Sequence, residues 1–154
     1  MKARSLLGTA LALTAGEAVV WQAQAGRELV AFPENFAGGV CYATVTRGNI
    51  KEDIFTSCSA IDAAKAGKPL PSGTVITLVD YRDGKLFRYV IMEKRTGWGA
   101  EYPPEQRNGE WKFQAFNADR SVNQNEDVGR CFAWHKAKEQ QDFVHIYDQL
   151  NHAP

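Results

Sequence analysis

Asp83-Gly84 sits between two runs dense in β-branched and aromatic residues, 74–81 and 86–94. A two-residue loop of this kind needs positive φ, which glycine and aspartate accept at low cost, and its twist matches that of paired antiparallel strands. The middle of the chain is thereby committed to an antiparallel hairpin. Upstream, residues 40–46 and 53–56 read as a second hairpin, joined through Arg47, Gly48, Asn49, Ile50 and Lys51. Downstream, Trp111, Phe113 and Ala115 alternate with Lys112, Gln114 and Phe116, the period of a further strand. Ser59, Ala60, Ile61, Asp62 and the alanines up to Ala66 predict a short helix with a Ser-x-x-Asp cap, closed by Gly67. Residues 97–109, with Pro103 and Pro104, read as a long loop, and the polar stretch 123–127 caps a helix over 128–138. The expectation is one α+β domain: a meander of four to five antiparallel strands with two to three short helices. No repeat, low-complexity tract or second domain interrupts it.

Charge and composition exclude several functions. Eighteen Lys and Arg balance eighteen Asp and Glu, so the chain lacks the cationic surplus that nucleic acid or an anionic membrane surface requires. With 44% hydrophobic and 11% aromatic residues, it has ample material for a core. At the start, Lys2 and Arg4 precede an uncharged run over 6–15, and Ala23 and Ala25 frame a cleavage site before Gly26. The run is shorter than the roughly 20 residues of a bilayer span and predicts an export signal peptide over residues 1–25. The mature domain is then 26–154, in the periplasm.

An oxidising compartment favours disulfides, and there are three cysteines. A hairpin centred near Asn49 and Ile50 places Cys41 opposite Cys58, so a Cys41–Cys58 disulfide is expected. Cys131 is left over, in the segment Gly129-Arg130-Cys131-Phe132-Ala133-Trp134-His135-Lys136. On a helix, Cys131 and His135 share one face. A c-type haem site uses C-x-x-C-H, two thiols for the porphyrin vinyl groups and a histidine for the iron. Here the pattern is C-x-x-W-H, with Trp134 in place of the second thiol.

The mature chain resembles the cytochrome P-460 superfamily, which includes the cytochromes c′-beta, over nearly its whole length. The resemblance is carried by Phe32-Pro33-Glu34-Asn35-Phe36, by Ala-Gly-Lys-Pro-Leu-Pro-Ser-Gly-Thr-Val over 66–75, and by the block 92–104 that contains Gly97-Trp98-Gly99. Asn108-Gly109-Glu110-Trp111, the Cys131-to-Lys136 motif, Gln141-Asp142-Phe143-Val144 and Asp148-Gln149-Leu150 complete it. It implies an exported, mostly β homodimer with one c-type haem packed on the sheet, binding or oxidising small nitrogen species such as nitric oxide and hydroxylamine. Two departures matter. Trp134 leaves at most one thioether, through Cys131, with His135 as the iron ligand; an indole beside the vinyl edge overpacks at a typical cost of about 1–3 kcal/mol. The lysine that crosslinks to porphyrin in hydroxylamine-oxidising members is Leu78 here, which disfavours that chemistry.

Two functional readings follow. In one, the chain is a haem protein tethered once through Cys131, ligated by His135, binding nitric oxide or a related ligand, with electron transfer as a subsidiary role. In the other it is a haem-free relative that keeps the scaffold as a small-ligand or protein-binding module. No nucleophile–base pair, phosphate loop or carboxylate pair stands out, so any turnover belongs to iron. Of the remaining residues, His145 interrupts an apolar alternation and reads as packed or interfacial, and His152 as solvated. Trp98, Tyr102, Trp111 and Phe113 are core or pocket aromatics, and Glu93, Lys94, Arg95 and Glu101 a polar cluster or a solvated strand end. A zinc or copper site from Cys131, His135 and a second histidine lacks a fourth ligand.

Overall fold

The two-residue loops dictate the architecture, seen here in a computed structural model that describes residues 29–154. The export-signal reading of residues 1–25 lies outside the described residues. Five strands, β1 (Val40–Arg47), β2 (Ile50–Thr56), β3 (Val75–Arg82), β4 (Lys85–Lys94) and β5 (Trp111–Asn117), form one antiparallel sheet in chain order. Three helices accompany it: α1 (Cys58–Lys65), α2 (Val128–Lys136) and α3 (Tyr147–Asn151). The fold is α+β, as the sequence predicts.

At the β3–β4 turn, Arg82 pairs with Lys85 while Asp83 and Gly84 take φ of 50° and 73°, the geometry an Asp-Gly loop is suited to. The β1–β2 loop is also two residues long, with Arg47 paired to Ile50 and Gly48 at φ 60°. Asn49 joins the turns: its carbonyl accepts from the Asp83 amide at 2.9 Å and its side-chain amide donates to the Asp83 carboxylate at 3.0 Å.

That tight loop corrects the expected disulfide. The turn centres on Gly48-Asn49, earlier than assumed, and a bulge between Cys41 and Ala43 shifts the register further, so Cys41 faces Phe55. The chain then leaves the sheet at Ser57, and Cys58 opens α1. Cys41 and Cys58 are both exposed free thiols, and Cys131 is free as well. The α1 cap is corrected too: Ser57, not Ser59, accepts from the Ala60 amide at 3.3 Å. At the other end Gly67, at φ 64°, lets the amides of Gly67 and Lys68 reach the carbonyls of Ala64 and Ala63, each at 2.9 Å, a closure that needs the left-handed residue.

The pleat divides the sheet's side chains between two buried faces. One face carries Val79, Tyr89, Ile91 and Phe116 against Val30, Phe32, Phe36 and Trp98. The other carries Ile54, Ile76, Met92 and Phe113 against α1, α3 and the segment Phe143-Val144. Asp142 ties that segment down. Its carboxylate accepts from the Leu70 amide (3.1 Å), the Lys94 ammonium (2.7 Å) and the Trp111 indole N–H (3.3 Å). Asp142 and Phe143 both have positive φ, 50° and 61°; aspartate tolerates this conformation, but a phenylalanine holds it only where its surroundings impose it. The Phe143 ring presses on Gly109, where an added Cβ would lie 2.9 Å from Phe143 Cε2.

Asp142→Ala leaves a largely buried ammonium and two N–H groups without their acceptor, and the expected loss is about 2–4 kcal/mol, read as a lower urea midpoint at unchanged slope. Intact-mass analysis of the oxidised protein should show no loss of two protons, and Cys41 and Cys58 should react with Ellman's reagent in the folded state faster than half-buried Cys131.

Candidate functional site

Helix α2 starts where the polar stretch predicts. Asp127 caps it, its carboxylate accepting from the Gly129 amide at 2.9 Å. Two contacts then seat it on β5. Phe132 meets Phe113 edge-on with centroids 4.8 Å apart and touches Tyr102 at 5.1 Å. Buried Asn108 donates to the Phe132 carbonyl at 2.9 Å.

One turn on, His135 packs against Phe113 with ring centroids 4.8 Å apart. Its Nδ1 lies 2.6 Å from the Phe143 carbonyl. A carbonyl only accepts, so Nδ1 carries the proton and Nε2 keeps its lone pair. Burial lowers the imidazole pKa, the neighbouring His145 adds to that, and the Phe143 bond opposes it in part. The ring is therefore neutral at physiological pH, the form that ligates metals.

Trp134 does not occupy a buried thiol's place. It is 66% exposed and lies flat on His145, with centroids 4.3 Å apart and planes within 13°. His145 Nε2 donates to the Trp134 carbonyl at 2.8 Å. The expected overpacking does not arise, because the indole is stacked at the surface. His145 also meets the His135 ring edge-on at 5.2 Å, so this packed histidine belongs to the site. Only its misfit in an apolar alternation marks it in the sequence.

These rings form one wall of a cavity of about 640 Å³. The sheet face lines it too: Ile54, Ile76, Leu78, Val90 and Met92, with Tyr42 from β1. Arg47 and Glu52, paired at 2.6 Å, are its charged members on β1 and β2. Leu78, the position that the resemblance singles out, pairs with Val90 on that wall and makes it hydrocarbon. Cys131 packs half-buried against the same core without forming part of the cavity wall. Burial is the main cause that pushes its thiol pKa up, keeping it protonated.

The other candidates separate. Trp98 and Trp111 are core residues. Glu93, Arg95 and Glu101 gather around Trp98, whose ring lies under both Arg95 and Lys112, while Lys94 turns to Asp142. Glu93 pairs with Arg95, Lys94 with Asp142 and Glu101 with Lys112. Lys136 is exposed and donates to the Arg107 carbonyl at 2.9 Å, and His152 is exposed, bonded to the Asp148 carbonyl. Among the described residues no three His, Cys, Asp or Glu side chains converge on a metal position.

What remains is a largely apolar cleft within the size range of cofactor sites, faced by the His135 imidazole, neutral, fixed in orientation and with its second nitrogen free, and by the His145 ring beside it. Those features fit an iron porphyrin held through a single nitrogen ligand. No curated protein matches the chain. The family model for Cytochrome P460 matches residues 38–146, a span running from the start of β1 through α2 to the His145 wall. The chain belongs to the cytochrome P460 family, whose members bind haem.

Proposed function

We propose that this chain is an exported haem protein that binds nitric oxide or a related small nitrogen ligand, with His135 Nε2 as the iron ligand and Cys131 as its single thioether anchor. One observation carries this reading: the Phe143 carbonyl fixes the His135 proton on Nδ1 and leaves Nε2 free at the wall of an apolar cavity. Haem held there supplies an iron with an open coordination position and a one-electron redox couple. The chain's own residues do the rest. Phe143 sets the tautomer and raises the basicity of the ligating nitrogen, the role of an outer-shell acceptor. Leu78, Val90 and Met92 present hydrocarbon to the ligand side, which suits a neutral diatomic, and Leu78 has no amine with which to crosslink a porphyrin. The Trp134–His145 stack closes the wall where the second thiol is missing. Export rests on the signal-like residues 1–25, and dimerisation on the resemblance alone.

A second reading has its own support. Cys131 is off the cavity wall, and a cavity with one loose anchor also suits a haem-free module that binds a small apolar molecule.

Protein from a host with working cytochrome maturation should show a Soret band, and the colour should survive acid-acetone extraction. Colourless protein, beside a c-type control that turns red, sinks the haem reading. His135→Ala should weaken haem binding by about 100-fold or more, since losing even an outer-shell partner typically costs 10–100-fold. Trp134→Cys should increase covalent retention. Protons compete with iron for Nε2 only below the imidazole pKa, and burial has moved that pKa below the usual value of about 6.5. Haem affinity should thus stay level from pH 8 down to near 6.5 and fall only below it, and the fall should vanish in His135→Ala.

A further inference from the structure

Arg47 is the last residue of β1, beside the Gly48-Asn49 turn, and Glu52 lies on the neighbouring strand β2. Val45 pairs with Glu52, and side chains two residues apart on a strand point to the same face, so Arg47, Val45, Glu52 and Ile54 all stand on the face that lines the His135 cavity. The Glu52 side chain is 14% exposed and the Arg47 side chain 61%, which places the guanidinium at the opening of the cavity, held there by the 2.6 Å bond that Nη2 donates to Glu52. No other hydrogen bond of Arg47 falls on a described residue. The remaining N–H groups are available to a second carboxylate, whose planar pair of oxygens a guanidinium matches. Among the residues that line the cavity, Arg47 is the sole permanent cation.

We infer that Arg47 is the cavity's subsite for a carboxylate of the cofactor, a porphyrin propionate held at the opening. This rests on the haem reading above. Such a porphyrin is an amphiphile, an apolar ring with carboxylates along one edge. The cavity has the matching division: Ile54, Ile76 and Met92 are buried hydrocarbon, and one guanidinium stands at the rim. An unpaired carboxylate carried into the apolar interior costs far more than one left at a wet rim beside a cation, so the pairing sets which edge of the ring faces outward. Glu52 is a positioning residue. It keeps the long arginine side chain at the opening before the ligand arrives, so that less freedom is lost on binding.

The test titrates the unloaded chain with iron protoporphyrin IX and with its dimethyl ester, which keeps the iron and the ring and lacks both carboxylates, following the Soret band. The wild type should bind the free acid about fivefold more tightly than the ester, the scale of a solvent-exposed ion pair, and high salt should narrow the gap. This comparison involves no substitution and so stands apart from any effect on folding. Arg47→Gln should bring the two affinities within about twofold of each other by weakening the free acid alone, and Arg47→Lys should keep part of the preference. Arg47→Gln combined with Glu52→Gln should lose the preference likewise, which separates loss of the cation from exposure of an unpaired Glu52. Equal affinity of the wild type for acid and ester, or a preference that survives either replacement of Arg47 by Gln, overturns the inference and leaves the haem reading standing. Binding of neither porphyrin by the wild type overturns the haem reading and this inference together.

Discussion

The Asp142 carboxylate governs where the His135 ring ends up through the residue that follows it, Phe143. By accepting from Leu70, Lys94 and Trp111 it ties together the connector after α1, the end of β4 and the start of β5. The next residue, Phe143, is thereby held at φ 61°, its amide bonded to the Lys138 carbonyl at 2.8 Å and its ring against Gly109. Its own carbonyl is then aimed at His135 Nδ1. A conformation that phenylalanine avoids in isolation is the means of fixing a tautomer. Stability and site geometry are joined at this point: a charge-assisted cluster supports the fold and, one residue on, orients the His135 ring at the cavity wall.

Trp134 stands where the haem-attachment pattern has a thiol, yet it leaves the neighbouring cavity open. The indole is much larger than a thiol and does not take a buried thiol's place. It turns outward instead and stacks on His145, which in turn hydrogen-bonds the Trp134 backbone carbonyl. The two residues form a unit. The ring of His145 covers ground that an exposed indole alone would leave open, and its Nε2–H fixes the carbonyl at that turn of α2.

How much of this the sequence discloses depends on the range of the interaction involved. The Asp83-Gly84 loop and the Asp127 cap are local signals, set by the φ preferences and side-chain acceptors of a few adjacent residues, and both appear where expected. The β1–β2 register was not legible. Two-residue loops centred one position apart look alike in composition, and the bulge at Tyr42 leaves no local trace, so the pairing of Cys41 with Cys58 failed for a difference of a few residues in the summed positions of paired strands. α3 was missed because five residues carry too little periodicity to announce a helix. The site divides the same way. His135 stands out through its spacing from Cys131, whereas the partnership of His145 with Trp134 and the Phe143 acceptor depend on segments that meet only in the folded chain.

Losing one anchor changes the thermodynamics of retention. With two thioethers, occupancy is independent of free cofactor. With one at most, from a Cys131 that packs outside the cavity wall, occupancy depends substantially on iron–imidazole coordination and on burial of the porphyrin. A ligand held mainly by reversible contacts stabilises the native state according to its concentration relative to Kd, about 2.7 kcal/mol at a hundredfold excess. On the haem reading proposed above, apolar Leu78 and Val90, neutral His135 and the stacked Trp134–His145 wall would all act on that Kd. On that reading the fixed imidazole would carry more of the retention than it would beside two covalent bonds, and loosening of the Asp142 cluster that frees Phe143 would reduce cofactor affinity along with stability.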